Sequence, residues 1–283
     1  MIHILSDSTC DLSPALIKQY MITILPLHIH LGNLEFQDGQ NITPEEIYRW
    51  SDENNTTPKT SAMSLESAMD VLRPLTEGED EVICFSVSQS MSSSCAVMKM
   101  AAAELEREER IHVVDSANLS TGIGLLVLEA AEMAAAGSTA HQIVGCMEQL
   151  KPLVRSSFVV DTLTYLHRGG RCSSVAAVAG SMLHLHPRIA VSEGAMSAGK
   201  KYRGKMDSVI LSYVKDMEQE LMDARKKRVF ITHSGCSEEA IRSVQNYLEG
   251  LKRFDEILIT RAGGVISSHC GPGTLGVLFI ANT

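Results

Sequence analysis

The sequence predicts an α/β protein of two α/β domains with a ligand cleft between them. Three observations carry that expectation. Short apolar runs alternate with amphipathic stretches from end to end, the pattern of sheets joined by crossover helices. A length of 283 residues is enough for two domains of ordinary size, each able to bury a core. The stretch Leu150-Lys151-Pro152-Leu153 stops a helix and opens a new strand-helix series, which places the boundary near Arg155 and gives domains 1–155 and 156–283.

Taken in order, buried strands are expected at 2–5, 22–29, 82–85, 111–114 and 158–160, then at 189–191, 229–232, 257–260 and 275–280. Helix starts are legible where Ser13-Pro14 and Thr43-Pro44-Glu45-Glu46 put a capping hydroxyl before a first-turn proline, the second completing a capping box. Gly137 closes a long alanine-rich helix. The run Arg225-Lys226-Lys227-Arg228 reads as a helix end, and Lys200 to Lys205 as a solvated basic turn.

A formal net charge of −9 argues against a nucleic-acid partner, which calls for a basic face. Seven scattered cysteines with no C-x-x-C spacing read as reduced thiols rather than a disulfide framework or a zinc site. A strand begins directly after Met1, with no basic segment, long apolar stretch or cleavage site, so the expectation is a cytoplasmic protein without stable membrane insertion. The pairs His28-x-His30 and His184-x-His186 each lie on one side of a strand, yet no carboxylate or cysteine completes either at metal spacing, so no metal is expected.

Chemistry concentrates in four places. Three hydroxyl-rich segments, at 6–12, 58–64 and 86–94, suit an anion, because two follow apolar strands and one precedes a helix. The fourth is Ser267-Ser268-His269-Cys270-Gly271-Pro272-Gly273-Thr274, where glycines and a proline set a turn around a histidine. His269 lies in the second half and the hydroxyls in the first, so a site using both falls in the interdomain cleft. One reading makes this a carboxylate-binding site without catalysis. Another makes it a hydrolase, with Ser92 or Ser93 as nucleophile, His269 as base and Asp7 or Asp115 as orienter, although no G-x-S-x-G elbow is present. A third is a phosphotransfer protein carrying phosphate on His269. For each of these residues capping or turn formation is the plain structural alternative.

The motifs Asp7-Ser8-Thr9-Cys10-Asp11-Leu12, Thr60-Ser61-Ala62-Met63-Ser64, Tyr165-Leu166-His167-Arg168-Gly169-Gly170-Arg171, Tyr202-Arg203-Gly204-Lys205 and His269-Cys270-Gly271-Pro272-Gly273-Thr274 occur in register along nearly the whole chain. In that order and spacing the sequence resembles the DegV family. The resemblance implies a protein that holds a long-chain fatty acid in a tunnel and presents its carboxylate to a separate fatty acid kinase, with no cofactor and no catalysis of its own. It implies carboxylate contacts at Thr60, Ser61, His269 and one of Ser92 and Ser93, support from Arg171 and Gly271, and kinase contact at Arg203. The chain departs from the family pattern at Met63, where proline is usual, and at Ser92-Ser93-Ser94, which stands for S-G-T and puts a Cβ at the glycine position. Fourteen methionines against six phenylalanines supply adaptable apolar lining for an acyl chain.

Overall fold

The computed structural model describes residues 1–172 and 185–283. In chain order the first half contains β1 (Ile2–Asp7), a 3-10 turn (Ser8–Cys10), α1 (Pro14–Gln19), β2 (Thr23–Leu25), β3 (His28–Leu31), β4 (Leu34–Gln37), α2 (Pro44–Asn54), β5 (Lys59–Ser61), α3 (Leu65–Leu75), β6 (Glu81–Ser86), α4 (Ser94–Glu104), β7 (Ile111–Asp115), α5 (Thr121–Ala135) and α6 (Ala140–Leu150). After a second 3-10 turn (Lys151–Leu153) come β8 (Val154–Val159), α7 (Thr164–Gly169), β9 (Leu185–Ser192), β10 (Ala195–Arg203), α8 (Met206–Asp216), α9 (Glu218–Met222), β11 (Ala224–His233), α10 (Glu238–Gly250), β12 (Glu256–Arg261), α11 (Gly264–Cys270) and β13 (Leu275–Ala281).

Three sheets are present among the described residues. One is parallel, in the order β2-β1-β6-β7; one is mixed, in the order β10-β9-β8-β13-β11-β12; a small antiparallel sheet runs β4-β3-β5. Val82 to Phe85 are buried throughout, which follows from a parallel strand covered on both faces. The two anticipated helix starts are capped as expected: the Ser13 hydroxyl accepts from the Leu16 N–H, and Thr43 and Glu46 close a reciprocal box. The long helix α5 is buried along most of its length and touches β1 and β6 on one side, β8 and β13 on the other. One apolar cluster lies in the first half and takes in Val265 of α11, one lies in the second half, and a third joins Ile4 and Phe85 of the parallel sheet to Ile123 and Leu126 of α5 and to Phe158, Phe230 and Ile280 of the mixed sheet.

Several expectations are corrected. The strand expected at 22–29 divides at Pro26, which has no N–H for a ladder, and its second part enters the small sheet as β3. The short strands β4 and β5 and the polar β10 carry no apolar run to betray them. Arg225 to Arg228 lie in β11, not at a helix end; Arg228 is buried and gives hydrogen bonds to Glu132 (2.7 Å) and Glu256 (3.0 Å), which the strand aligns. Lys200 to Arg203 lie at the end of strand β10, alongside β9, rather than in a free turn. His269 lies in the last turn of α11, and the glycines follow it: Gly271 and Gly273 both have positive φ.

Because α5 serves the shared cluster, Leu126→Ala should cost about 2–5 kcal/mol and lower the stability of both halves together. Urea unfolding followed by far-UV circular dichroism and by fluorescence of Trp50 should give one coincident transition; two separated midpoints would show that the halves do not depend on this helix in common.

Candidate functional site

The hydroxyl-rich loops leave β1 and β6 at their carboxyl ends, and α11 of the second half packs against β3, β5 and α2 of the first. Between them lies a cavity of ≈ 250 Å³ whose polar wall includes Thr9, Thr60, Ser61, Ser92, Ser93 and His269. Leu27, Val87, Met91, Leu119, Met196 and Ile266 make the apolar wall. A smaller apolar void of ≈ 20 Å³ shares Leu119, Ile266 and Cys270 with it and reaches Phe158 and Leu278 deeper between the halves. The main cavity therefore offers both hydroxyls and apolar side chains to a ligand.

All five residues expected to contact a ligand, and Arg171, border this one cavity. Thr60 is not a cap; it sits in β5, and its Oγ1 is 2.8 Å from His269 Nε2. Ser64 is the cap, accepting from the Ser67 N–H. Ser92 Oγ pairs with Ser94 Oγ at 2.8 Å and accepts from the Ser94 N–H. Ser93 precedes α4 but makes no side-chain cap, so its exposed hydroxyl is free of its own helix. Arg171 gives a hydrogen bond to the Gly169 carbonyl at 2.6 Å.

Burial chiefly, with the Arg171 charge adding to it, pushes the His269 imidazole down to about 4, so the ring is neutral. Its Nδ1 is buried without a hydrogen-bond partner against Gly169, where a Cβ would stand 2.4 Å away. A buried N–H without a partner is costlier than an unused lone pair, so the ring proton belongs on Nε2 and is donated to Thr60 Oγ1. The Thr60 proton is then left for the cavity. Gly271 lets the chain leave α11 at φ +75°, and a Cβ there would meet the Tyr165 ring at 2.5 Å.

Neither acid proposed to orient His269 does so. Asp7 accepts from the Thr9 and Val87 N–H groups, and Asp115 from Gln89 and Ala117. The first histidine pair corrects its sequence reading, because the β3-β4 hairpin does bring up a carboxylate: Glu35 lies 2.7 Å from His28 and 3.7 Å from His30. Even so, among the described residues no group of His, Cys, Asp or Glu is arranged to hold a metal ion. His184 lies outside the described residues; His186 is buried with its two nitrogens 3.2 Å from the Val160 and Gly204 carbonyls. Arg203 is exposed at the end of β10, just before Gly204.

The sequence missed the supports of α11. Asp11 accepts from the Gly263 N–H at 2.8 Å and the Ser120 hydroxyl at 2.5 Å; Asp38 accepts from the Gly264 N–H at 2.7 Å and the Ser8 hydroxyl at 2.8 Å. Asp11 was visible as part of a motif, and only the fold shows that its partner lies 252 positions away.

Comparison with known proteins follows the whole chain. The family model described as uncharacterised protein, DegV family, matches residues 1–282. A DegV domain-containing protein of Clostridium perfringens is 32% identical over 282 residues, covering 98% of this chain and 97% of its own. Among solved structures, a fatty-acid-binding DegV family protein from Thermus thermophilus is 30% identical, with a TM-score of 0.91 and 99% of each chain covered. A stearic-acid-binding protein from Eubacterium ventriosum is 28% identical, with a TM-score of 0.86 and coverage of 99% and 98%.

Burial, opposed by hydrogen bonds and reinforced by each other's charge, pushes the Asp11 carboxyl up from 3.8 to about 8 and Asp7 from 3.8 to about 6, with Asp38 raised as well. The folded chain thus holds these protons more tightly than the unfolded one, so their stabilising contribution is complete below 3.8 and is lost as pH rises through about 6 and about 8. Asp11→Asn keeps an oxygen for Gly263 and cannot ionise. Its Tm should fall less than that of wild type between pH 3.8 and about 8; parallel curves would remove Asp11 from this account.

Proposed function

The chain belongs to the DegV family, and on that premise we propose that it is a cytoplasmic carrier that buries one long-chain fatty acid, holds its carboxylate at Thr60, Ser61, His269 and the Ser92-Ser93 turn, and presents it to a separate fatty acid kinase. The observation that carries the reading is the Thr60–His269 pair in a cavity lined by both hydroxyls and apolar side chains. An alkyl chain gains about 0.8 kcal/mol for each methylene removed from water, while its desolvated carboxylate needs donors in return. Hydroxyls oriented by a neutral imidazole supply donors without a buried counter-charge. Fatty-acid binding by the relatives from Thermus thermophilus and Eubacterium ventriosum supports the same ligand class.

A serine hydrolase finds less support, since the Ser92 hydroxyl is paired with Ser94 and the His269 Nδ1 faces no carboxylate. Phosphate carriage on His269 finds less support, since Nε2 is taken by Thr60 at 2.8 Å and Nδ1 is buried against Gly169. The proposed carrier therefore leaves the chemistry on the carboxylate to its partner. Cysteines that form no disulfide among the described residues fit a reducing compartment.

Denaturing the purified protein and analysing the released small molecules by mass spectrometry should recover a fatty acid at about one per chain, and its absence from protein that also fails to take up added fatty acid would overturn the reading. Thr60→Val and Ser92→Ala should each weaken binding by about 1–3 kcal/mol. Because His269 acts through Thr60, His269→Ala combined with Thr60→Val should lose little more than either alone, and additive losses would mean separate roles.

Arg203→Ala should leave lipid content unchanged and slow kinase-dependent phosphorylation of the bound fatty acid. An exposed charge acts mainly on encounter, so the deficit should be largest at low ionic strength and shrink as salt screens the wild-type attraction. Equal turnover at low salt would remove Arg203 from the docking surface.

A further inference from the structure

The small void beside the main cavity lies against one face of the mixed sheet. Its floor is Gly276 of β13, which stands opposite Phe158 of β8 on one side and Thr232 of β11 on the other. Residues two apart on a strand share a face, so Leu278 belongs to the same surface. Phe158 and Leu278 lean across the glycine: a Cβ placed there would stand 3.1 Å from Phe158 Cβ and 3.3 Å from Leu278 Cδ1. Leu119, Ile266 and Cys270 border both the void and the main cavity, and so form the partition between them. Ile266, His269 and Cys270 fall at i, i+3 and i+4, on one face of α11. The helix face that carries the imidazole thus also carries two members of the partition.

The void is suited to hydrocarbon rather than to water. Hydroxyls border it, yet each is already engaged: Ser120 with Asp11, Thr232 with Thr121 and Thr260, Ser234 with the Gly271 carbonyl and Thr274 with the Cys270 carbonyl. His233, also at its wall, accepts from the Gly235 N–H at Nδ1. A bound water needs two to four polar partners, and leucine, phenylalanine and polar groups already paired do not provide them. The ≈ 20 Å³ of the void is room for about one water-sized group, which is the size of a terminal methyl.

We propose that this void seats the terminal methyl of the bound fatty acid and, with Phe158 and Leu278 as its end wall, sets the acyl length that the protein prefers. The proposal rests on the carrier reading and adds length specificity to the same site. With the carboxylate at Thr60 and His269, the tail follows the Ile266 face of α11 and passes between Leu119 and Ile266 into the void. That passage asks for rotamer changes at Leu119 and at Ile266, the latter only partly buried. Up to the end wall each methylene gains its burial. A longer chain must displace closely packed Phe158 and Leu278 or draw its carboxylate away from its donors.

The test is a competition titration of delipidated full-length protein, in which a homologous series of saturated fatty acids, medium to long, displaces cis-parinaric acid at fixed pH and salt. Wild-type affinity should rise about fourfold with each added methylene, then level off or fall beyond one length. Leu278→Ala opens space in the end wall and should move that break about two carbons longer. Ile266→Phe thickens the partition and should move it shorter. Each variant answers alone, so a failure to fold in one leaves the other to decide. A break that stays at the wild-type length in either folded variant, or a wild-type affinity that rises without a break through the longest acid, overturns the assignment while leaving the carrier intact. Wild-type protein that binds neither the probe nor any acid of the series overturns the carrier reading, and the role of the void with it.

Discussion

The carboxylate of Asp11 ties together three segments on which the site depends. It sits in the loop after β1 and accepts hydrogen bonds from Ser120, just before α5, and from Gly263, just before α11. Helix α5 belongs to the core shared by both halves, and α11 carries His269. A single buried acid thus fixes the helix bearing the imidazole relative to the sheet bearing the hydroxyls. Asp38 repeats the device one residue on, at Gly264. Backbone N–H groups that open a helix need acceptors, and two carboxylates buried in the opposite half supply them. Ser120 itself holds φ 52° and ψ −144°, a conformation costly for a residue with a Cβ, and its bond to Asp11 helps to hold it there.

That fixed geometry matters because a hydroxyl donates only one proton. Thr60 can donate to an anion only if its proton is not spent on the imidazole, and a neutral His269 with its ring proton on Nε2 donates to the Thr60 oxygen and leaves that proton available. The contact of Nδ1 with Gly169 leaves no room for a partner that would favour the other tautomer. Burial and the Arg171 charge keep the ring neutral, so the pair behaves alike across physiological pH. The Thr60–His269 pair thereby contributes oriented neutral polarity, while Arg171 brings a positive charge to the same cavity.

Much of this was legible in the sequence because it depends on local pattern. The apolar strands, the helix caps at Ser13 and Thr43, the hydroxyl loops after β1 and β6, and the glycines at 271 and 273 each leave a local mark. What the sequence hid was tertiary. Strand β5 is three residues long and without apolar character, so nothing local showed that Thr60, for which capping was the plain alternative, is a ladder residue facing Ile29. Glu35 followed His28 and His30 too closely for metal spacing, and only the β3-β4 hairpin folds it back between them. Arg228 looked like one of four surface cations until the strand turned it inward toward Glu132 and Glu256. Thr9 lay in a recognised hydroxyl loop, yet nothing local separated it from its neighbours as a cavity residue.

The substitution of serine for the family's glycine at position 93 also finds its physical place. Ser93 has φ −82° and ψ 4°, a conformation open to any L-residue, so the backbone here does not require glycine. Its Cβ is therefore accommodated without strain, and its hydroxyl lies at the start of α4 without capping it. Ser92 is the more constrained of the two, since its oxygen already meets the Ser94 N–H and hydroxyl. A carboxylate arriving at this turn finds Ser92 oriented by the chain itself and Ser93 exposed at the rim, so the two serines differ in freedom rather than in chemistry. In the proposed carrier, a hydroxyl already ordered loses less entropy on binding than a free one, so Ser92 would be the stronger anchor where Ser94 donates within their pair, and Ser93 the adaptable neighbour.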